Sequence, residues 1–265
     1  MDRWGHGTLR RVDRAALEQA LRVASRAADR ARAEIMPRFR VVEVEHKADG
    51  SPVTEADRAA ERAIRTVLRE AYPKFGILGE EFGAEHCETG PRWVIDPIDG
   101  TIAYSRGLPL FATLIALLDG DDPVVGLIDL PTLDERYHGS LGGGCWRGST
   151  RLRVSQQSDL SRALVSHGDP LCFERAGQQE AFDRMARAIP FFRGYTDAFG
   201  HSQVLSGAID AMVDFDLNLW DAAATQLLVA EAGGRCVVRQ REGGKLDLVF
   251  GSAPLVEKLC AMLTS

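Results

Sequence analysis

The 265-residue sequence has no apolar run approaching the roughly 20 residues that a bilayer-spanning helix needs. The longest, centred on Leu114 to Leu118, is far shorter. The opening stretch, Met1 to Arg14, is polar and lacks the apolar segment of a secretory leader, so the sequence predicts a cytoplasmic location and no membrane partner. Its five cysteines, Cys87, Cys145, Cys172, Cys236 and Cys260, include no Cys-x-x-Cys pair. That argues against a zinc finger or a disulfide framework and predicts reduced thiols, mostly in the core. A basic excess is missing too: 32 Lys and Arg face 38 Asp and Glu, a formal net charge of −6, which argues against a nucleic-acid footprint. No Gly-x-x-x-x-Gly-Lys-Ser/Thr loop occurs, and the Gly142 to Gly144 run lacks the lysine that would hold a nucleotide. Nor is there a Gly-x-Ser-x-Gly elbow, and His46, His86, His138, His167 and His201 stand in no distinguishing local pattern, so a serine or cysteine hydrolase has no support.

What is present is the composition of an ordinary globular chain, 45% hydrophobic and 26% charged. Leu17, Leu21, Ala24, Ala28, Ala31 and Ile35 recur every three to four residues ahead of Pro37, which predicts an amphipathic helix. A second helix is predicted from Thr54 to about Glu70, closed by Pro73. Trp93 to Ile95 reads as a buried strand. The runs Phe111 to Leu118 and Val124 to Leu130 predict a hairpin with a four- or five-residue connection, so the sheet is not purely parallel. Gly142 to Gly144 and Arg147 to Ser149 mark loops and a seam between an N-terminal part, 1–148, and a C-terminal part, 149–265, of one compact unit. Later helices are predicted near 180–189, 202–208, 222–231 and 255–263, with strands at 164–167, 211–215, 235–239 and 246–250. The expected class is layered α/β.

Acids gather at the ends of these elements. Trp93-Val-Ile-Asp96-Pro-Ile-Asp99-Gly100-Thr101 ends a strand with two carboxylates around a stiff proline, a donor set that suits a hard divalent cation. The same dipeptides also make ordinary turns. Gly79-Glu80-Glu81 leaves another predicted strand, Asp57 fits the third helical position of a capping box begun at Thr54, and Asp221 is well placed as a helix N-cap. Each has a purely structural explanation alone; five such acids, all at element edges, favour convergence.

In their order and wording these segments closely resemble the inositol monophosphatase-like superfamily of metal-dependent phosphatases. The likeness rests on Gly79-Glu80-Glu81, on Trp93 to Thr101, and on Trp220-Asp221-Ala-Ala-Ala with Glu231-Ala-Gly-Gly234, and it spans about Lys47 to Gly234. It implies an α–β–α–β–α sandwich of the inositol monophosphatase and fructose-bisphosphatase type and two or three Mg²⁺ per site. By the same resemblance, Glu80, Asp96 and the carbonyl of Ile98 would hold one ion, and Asp96, Asp99 and Asp221 a second. Thr101, with Asp57 and Glu80, would orient the attacking water. Gly100 and Thr101 would bind phosphate, and Lys47 would belong to a mobile metal loop. Family members are commonly dimers, so a homodimer is implied.

Within this superfamily the text leans toward the histidinol-phosphatase branch, through 47–57, Pro109 to Leu118 and Gly126 to Pro131. Asp197 and Asp214 fall where that branch and the wider family place substrate-contacting acids. The implied substrate is L-histidinol phosphate, an intermediate of histidine biosynthesis. Inositol-1-phosphate or a related sugar phosphate is the alternative, because Ile102-Ala-Tyr104 and Asn218 depart from the branch pattern.

Overall fold

The computed structural model describes residues 13–41, 44–46, 52–88 and 90–264. Helix α1 (Arg14–Ile35) starts at Asp13, whose carboxylate accepts the Ala15 N–H, and runs to Ile35, just short of Pro37. After the short antiparallel pair β1 (Val44–His46) and β2 (Pro52–Thr54) comes α2 (Glu55–Ala71). The first sheet then builds up as β3 (Gly76–Gly79), β4 (Gly83–Glu85), β5 (Arg92–Asp99), β6 (Ala112–Asp119), β7 (Asp122–Leu130), β8 (Glu135–Ser140), β9 (Gly144–Arg147) and β10 (Thr150–Arg151). Its spatial order is β10-β9-β8-β7-β6-β5-β3-β4, antiparallel throughout except for β3 beside β5. A short helix, α3 (Thr101–Ser105), follows β5.

The second sheet has the order β12-β11-β13-β15-β14, from β11 (Leu164–His167), β12 (Phe191–Arg193), β13 (Ala211–Leu217), β14 (Arg235–Gln240) and β15 (Leu246–Gly251). Between and after these strands lie α4 (Pro170–Arg175), α5 (Gln179–Ala188), α6 (Asp197–Leu205), α7 (Leu219–Glu231) and α8 (Ala253–Thr264).

Strand alternation explains the layering. Side chains of a strand point to opposite faces by turns, so an uninterrupted apolar run signals a sheet covered on both sides. On β6 and β7, Ile115, Leu117, Val125 and Leu127 enter one core with α1 and α2. Their neighbours Leu114, Ala116, Leu118, Ile128 and Leu130 enter another, shared with α7 and with Met212, Leu248 and Phe250 of the second sheet. The far face of that sheet is covered by α4, α5 and α8 around Phe173, Met185 and Leu259. The resulting layers are α–β–α–β–α, the expected class.

Several local expectations are corrected. The β6–β7 connection is Gly120-Asp121, two residues rather than four or five, because Asp119 and Asp122 pair directly. Helix α6 spans Asp197–Leu205 rather than 202–208. Gly142 to Gly144 forms the turn into β9, and Gly148-Ser149 the turn into β10, so both glycine stretches lie inside the first sheet. The cysteines are free: Cys145 is fully buried, Cys172, Cys236 and Cys260 are partly buried against the apolar cores, and Cys87 is partly covered.

Candidate active site

The strand β5 would ordinarily send Asp96 and Asp99 to opposite faces, since residues three apart differ by an odd step. A bulge prevents this. Asp96 pairs with Leu114 and Asp99 with Ala112, so three steps on β5 match two on β6, and the extra residue turns both carboxylates to one side. Pro97 suits the bulge because it has no N–H to leave unpaired. The Pro97 carbonyl accepts from Thr113 Oγ1 at 2.8 Å, and the Ile98 N–H donates to Asp96 Oδ1 at 3.0 Å. Gly100 then turns the chain into α3 at φ +82°, and a Cβ there would lie 3.0 Å from the Leu110 carbonyl oxygen. Glycine is required on both counts.

From the middle layer, α7 brings in the third acid. Asn218 is its N-cap, and Asp221 sits at the third helical position, accepting the Asn218 N–H at 2.7 Å. The expectation that Asp221 itself is the cap is therefore corrected: the capping box starts one residue before the helix, and its returning acid faces the cluster. Carboxylate oxygens of Asp96, Asp99 and Asp221 all lie within 4.8 Å of one another. Glu80, just past β3, lies within hydrogen-bonding reach of Asp96 and adds its repulsion to that carboxyl.

Asp57 reaches the cluster from α2. The capping box is as expected, with Thr54 N–H and Oγ1 donating to Asp57 Oδ2 at 2.8 and 2.6 Å. Its other oxygen faces Thr101 Oγ1 at 3.5 Å, and Thr101 Oγ1 donates to the Ile98 carbonyl at 3.0 Å.

Among the described residues, the site carries far more negative than positive charge. Burial, followed by repulsion from Glu80, Asp99 and Asp221, holds Asp96 well above the ordinary carboxylate range. Burial and then Asp197 and Asp221 do the same to Asp99. Burial pushes Asp221 up to about 7, partly opposed by the Asn218 N–H and by Lys245. Burial pushes Asp57 to about 6, with Thr54 opposing and Glu80 adding. Clustered oxygens that resist ionisation together fit a hard divalent cation, which would relieve the repulsion.

Asp197 opens α6 in the left-handed region, φ +57°, a conformation that Asp tolerates better than most residues. The next N–H, of Ala198, donates to Asp99 Oδ2, joining α6 to the cluster. Asp214 on β13 lies beside Asp197 and raises its carboxyl, after burial. Lys47 lies outside the described residues.

With this geometry in view, the inositol monophosphatase family pattern matches residues 14–258. The histidinol-phosphatase of Streptomyces coelicolor is 43% identical over 226 residues, 81% of this chain and 84% of that protein. The inositol-1-monophosphatase of Mesorhizobium japonicum is 37% identical over 215 residues, 80% of each. A solved inositol monophosphatase from Zymomonas mobilis superposes with a TM-score of 0.82 at 31% identity, covering 95% of this chain and all of that one.

The chain belongs to the inositol monophosphatase family. It is accordingly a phosphoric monoester hydrolase, and the family is generally Mg²⁺-dependent.

Three further residues at this family site had no sequence signal of their own. His201, one turn along α6 from Asp197, bridges Thr225 Oγ1 at 2.8 Å and Asp214 Oδ2 at 3.0 Å, and is buried. Lys245, from the loop before β15, donates to Asn218 Oδ1 at 2.8 Å. Glu61, buried on α2, accepts the Glu81 N–H at 2.7 Å. Only tertiary pairing across β13, α7 and β15 could have singled out the first two.

Proposed function

We propose that the chain hydrolyses L-histidinol phosphate, with Glu80, Asp96 and the Ile98 carbonyl holding one Mg²⁺ and Asp96, Asp99 and Asp221 a second. When bound, the metal supplies charge neutralisation of the phosphate oxygens and a lowered pKa for water. The chain's own residues do the rest. The N–H groups of Gly100 and Thr101, at the start of α3, receive phosphate oxygens. Thr101 Oγ1, steered by the Ile98 carbonyl and Asp57 Oδ1, orients the attacking water, with Glu80 on its other side. Asp197 and Asp214 lie beside Asp99 on the side of the second sheet and receive the cationic amine and imidazole of the alcohol. The parts before and after residue 148 serve one site, since Asp221 and the two substrate acids come from the C-terminal part.

The observation that carries the substrate choice is the pair Asp197 and Asp214 beside Asp99: half-buried and buried carboxylates that repel one another reward a cationic substrate group and penalise a neutral polyol. The 43% identity to a histidinol-phosphatase supports the same choice. A second reading, inositol-1-phosphate, is supported by the 37% identity to an inositol-1-monophosphatase and by the departure of Ile102-Ala-Tyr104 from the histidinol-phosphatase branch pattern.

Two measurements test the proposal. In parallel Mg²⁺ assays, kcat/KM for histidinol phosphate should exceed that for inositol-1-phosphate by about 100-fold or more, as expected when buried polar groups lose their partner. A preference for inositol phosphate overturns the substrate choice. Asp96→Asn should lower activity on either substrate by at least about 100-fold with the fold intact. Full activity in that variant would remove the metal reading.

A further inference from the structure

Helix α2 carries a second buried acid one turn beyond Asp57. Glu61 and Arg65 stand four residues apart, a spacing that usually marks an exposed helix pair, yet both are buried, at 0% and 4% exposure. Glu61 accepts from Arg65 Nε at 2.8 Å and from two backbone N–H groups, Glu81 at 2.7 Å and Phe82 at 3.2 Å. Arg65 continues the chain of contacts to the Gly83 carbonyl and to Glu85 Oε2. The turn from Gly79 to Glu85, which bears Glu80, is thus bonded to α2 at four points. Gly79 completes the fit: a Cβ there would lie 2.1 Å from Glu61 Oε1, so the carboxylate fills the space a side chain would take.

A buried ion pair adds little net stability, because desolvation offsets its attraction, but removing one partner is costly. Such a pair is well suited to fixing a position. Asp57 and Glu61 share one face of α2; the first reaches Thr101 and the second reaches the turn of Glu80.

We propose that Glu61 is a positioning residue for Glu80: by gripping the N–H groups of Glu81 and Phe82 it aims Glu80 at Asp96 and sets the affinity of the acidic cluster for Mg²⁺. The inference rests on the reading of Glu80 and Asp96 as Mg²⁺ ligands. In Glu61→Gln the amide turns an N–H₂ donor toward N–H donors, so the turn loosens while volume is kept. The Mg²⁺ concentration for half-maximal activity should rise about 10-fold or more, with a smaller loss of kcat at saturating Mg²⁺. The Mg²⁺ dissociation constant, measured by calorimetry without substrate, should rise by the same factor. Gly79→Ala, which displaces the Glu61 carboxylate from the opposite side, should reproduce both shifts. Leu259→Ala, in the outer core of the second sheet, serves as the stability control: it should lower Tm and leave the Mg²⁺ constant alone. If neither site variant folds, Arg65→Lys, which keeps the charge but loses the fork to Gly83 and Glu85, must still raise the constant several-fold. A folded variant that binds Mg²⁺ as the parent does overturns the positioning role alone. A parent that binds no Mg²⁺ overturns the ligand reading on which it stands.

Discussion

Asp57 divides its two carboxylate oxygens between two tasks. Oδ2 closes the capping box of α2 by accepting twice from Thr54, while Oδ1 is left facing Thr101. A structural and a chemical explanation of this residue therefore hold together. Burial holds the carboxyl up at about 6, so above neutral pH it is an ionised acceptor for the Thr101 hydroxyl. Asp57→Asn should keep the cap, through its carbonyl oxygen on the Thr54 side, and turn its amide donor toward Thr101. The expected result is a kcat about 100-fold lower with KM little changed, the size typical of a lost proton-handling group. The helix should lose no more than about 1 kcal/mol, readable as a small change in Tm. A variant with parental kcat would detach Asp57 from the chemistry. Of these neighbours, Asp57, Glu80 and Thr101 were legible only together and through the family resemblance, since the turn or cap that holds each one gives it a structural explanation of its own. Glu61 was not, because nothing in a Glu-x-x-x-Arg spacing says that the helix face beneath it is covered.

Joints between elements carry the next layer of specification. Asp129 on β7, only 1% exposed, accepts from Arg32 Nη2 of α1 at 3.0 Å and from Arg136 Nε of β8 at 2.8 Å. One carboxylate thereby fastens the outer helical layer to the first sheet. Asp129→Ala removes the acceptor that Arg32 and Arg136 share, leaving Arg32 its exposed partner Asp134 and Arg136 its partner Asp29, and should cost about 2 kcal/mol. For a chain of this size that corresponds to a Tm lower by roughly 4–8 °C; a loss under about 0.5 kcal/mol in denaturant titration would show that Asp134 and Asp29 suffice to hold the two arginines. The long elements were legible, α1 from its spacing and β6 and β7 from their apolar runs. The short strands β8, β9, β10 and β12 were not, because Glu135–Ser140 and Phe191–Arg193 carry little alternation and owe their strand form to a neighbour already in place. The start of α6 was missed for a related reason: Asp197 enters the helix from the left-handed region, held by its neighbours Thr196 and Asp99, and local pattern does not record that. The Asp96–Asp99 bulge is an intermediate case, its proline and glycine visible in sequence and its extra residue visible only once β6 supplies the partner register.

At the scale of the whole chain, a net charge of −6 hides an uneven distribution. Asp57, Asp96, Asp99, Asp197 and Asp221 come from four separate segments, and all are held above their ordinary value of 3.8, burial being the largest cause for each. Between 3.8 and its raised value, such an acid binds more protons in the folded state than in the unfolded one. Its contribution to stability is complete below the ordinary value and is lost as pH rises through about 6 for Asp57 and about 7 for Asp221. In EDTA, therefore, Tm should fall steadily from about pH 5 to about pH 8. A divalent cation takes the place of those protons, and its stabilisation grows as its dissociation constant falls. The Tm difference between millimolar Mg²⁺ and EDTA should consequently widen over the same range, because proton competition for the carboxylates disappears. Differential scanning calorimetry at four pH values in the two buffers measures both trends. A Tm in EDTA that rises with pH would mean that these carboxylates are ionised at no cost in the folded chain. The acids would then be ordinary solvated charge, and the layers that bring them together would have no electrostatic reason to favour a metal between them.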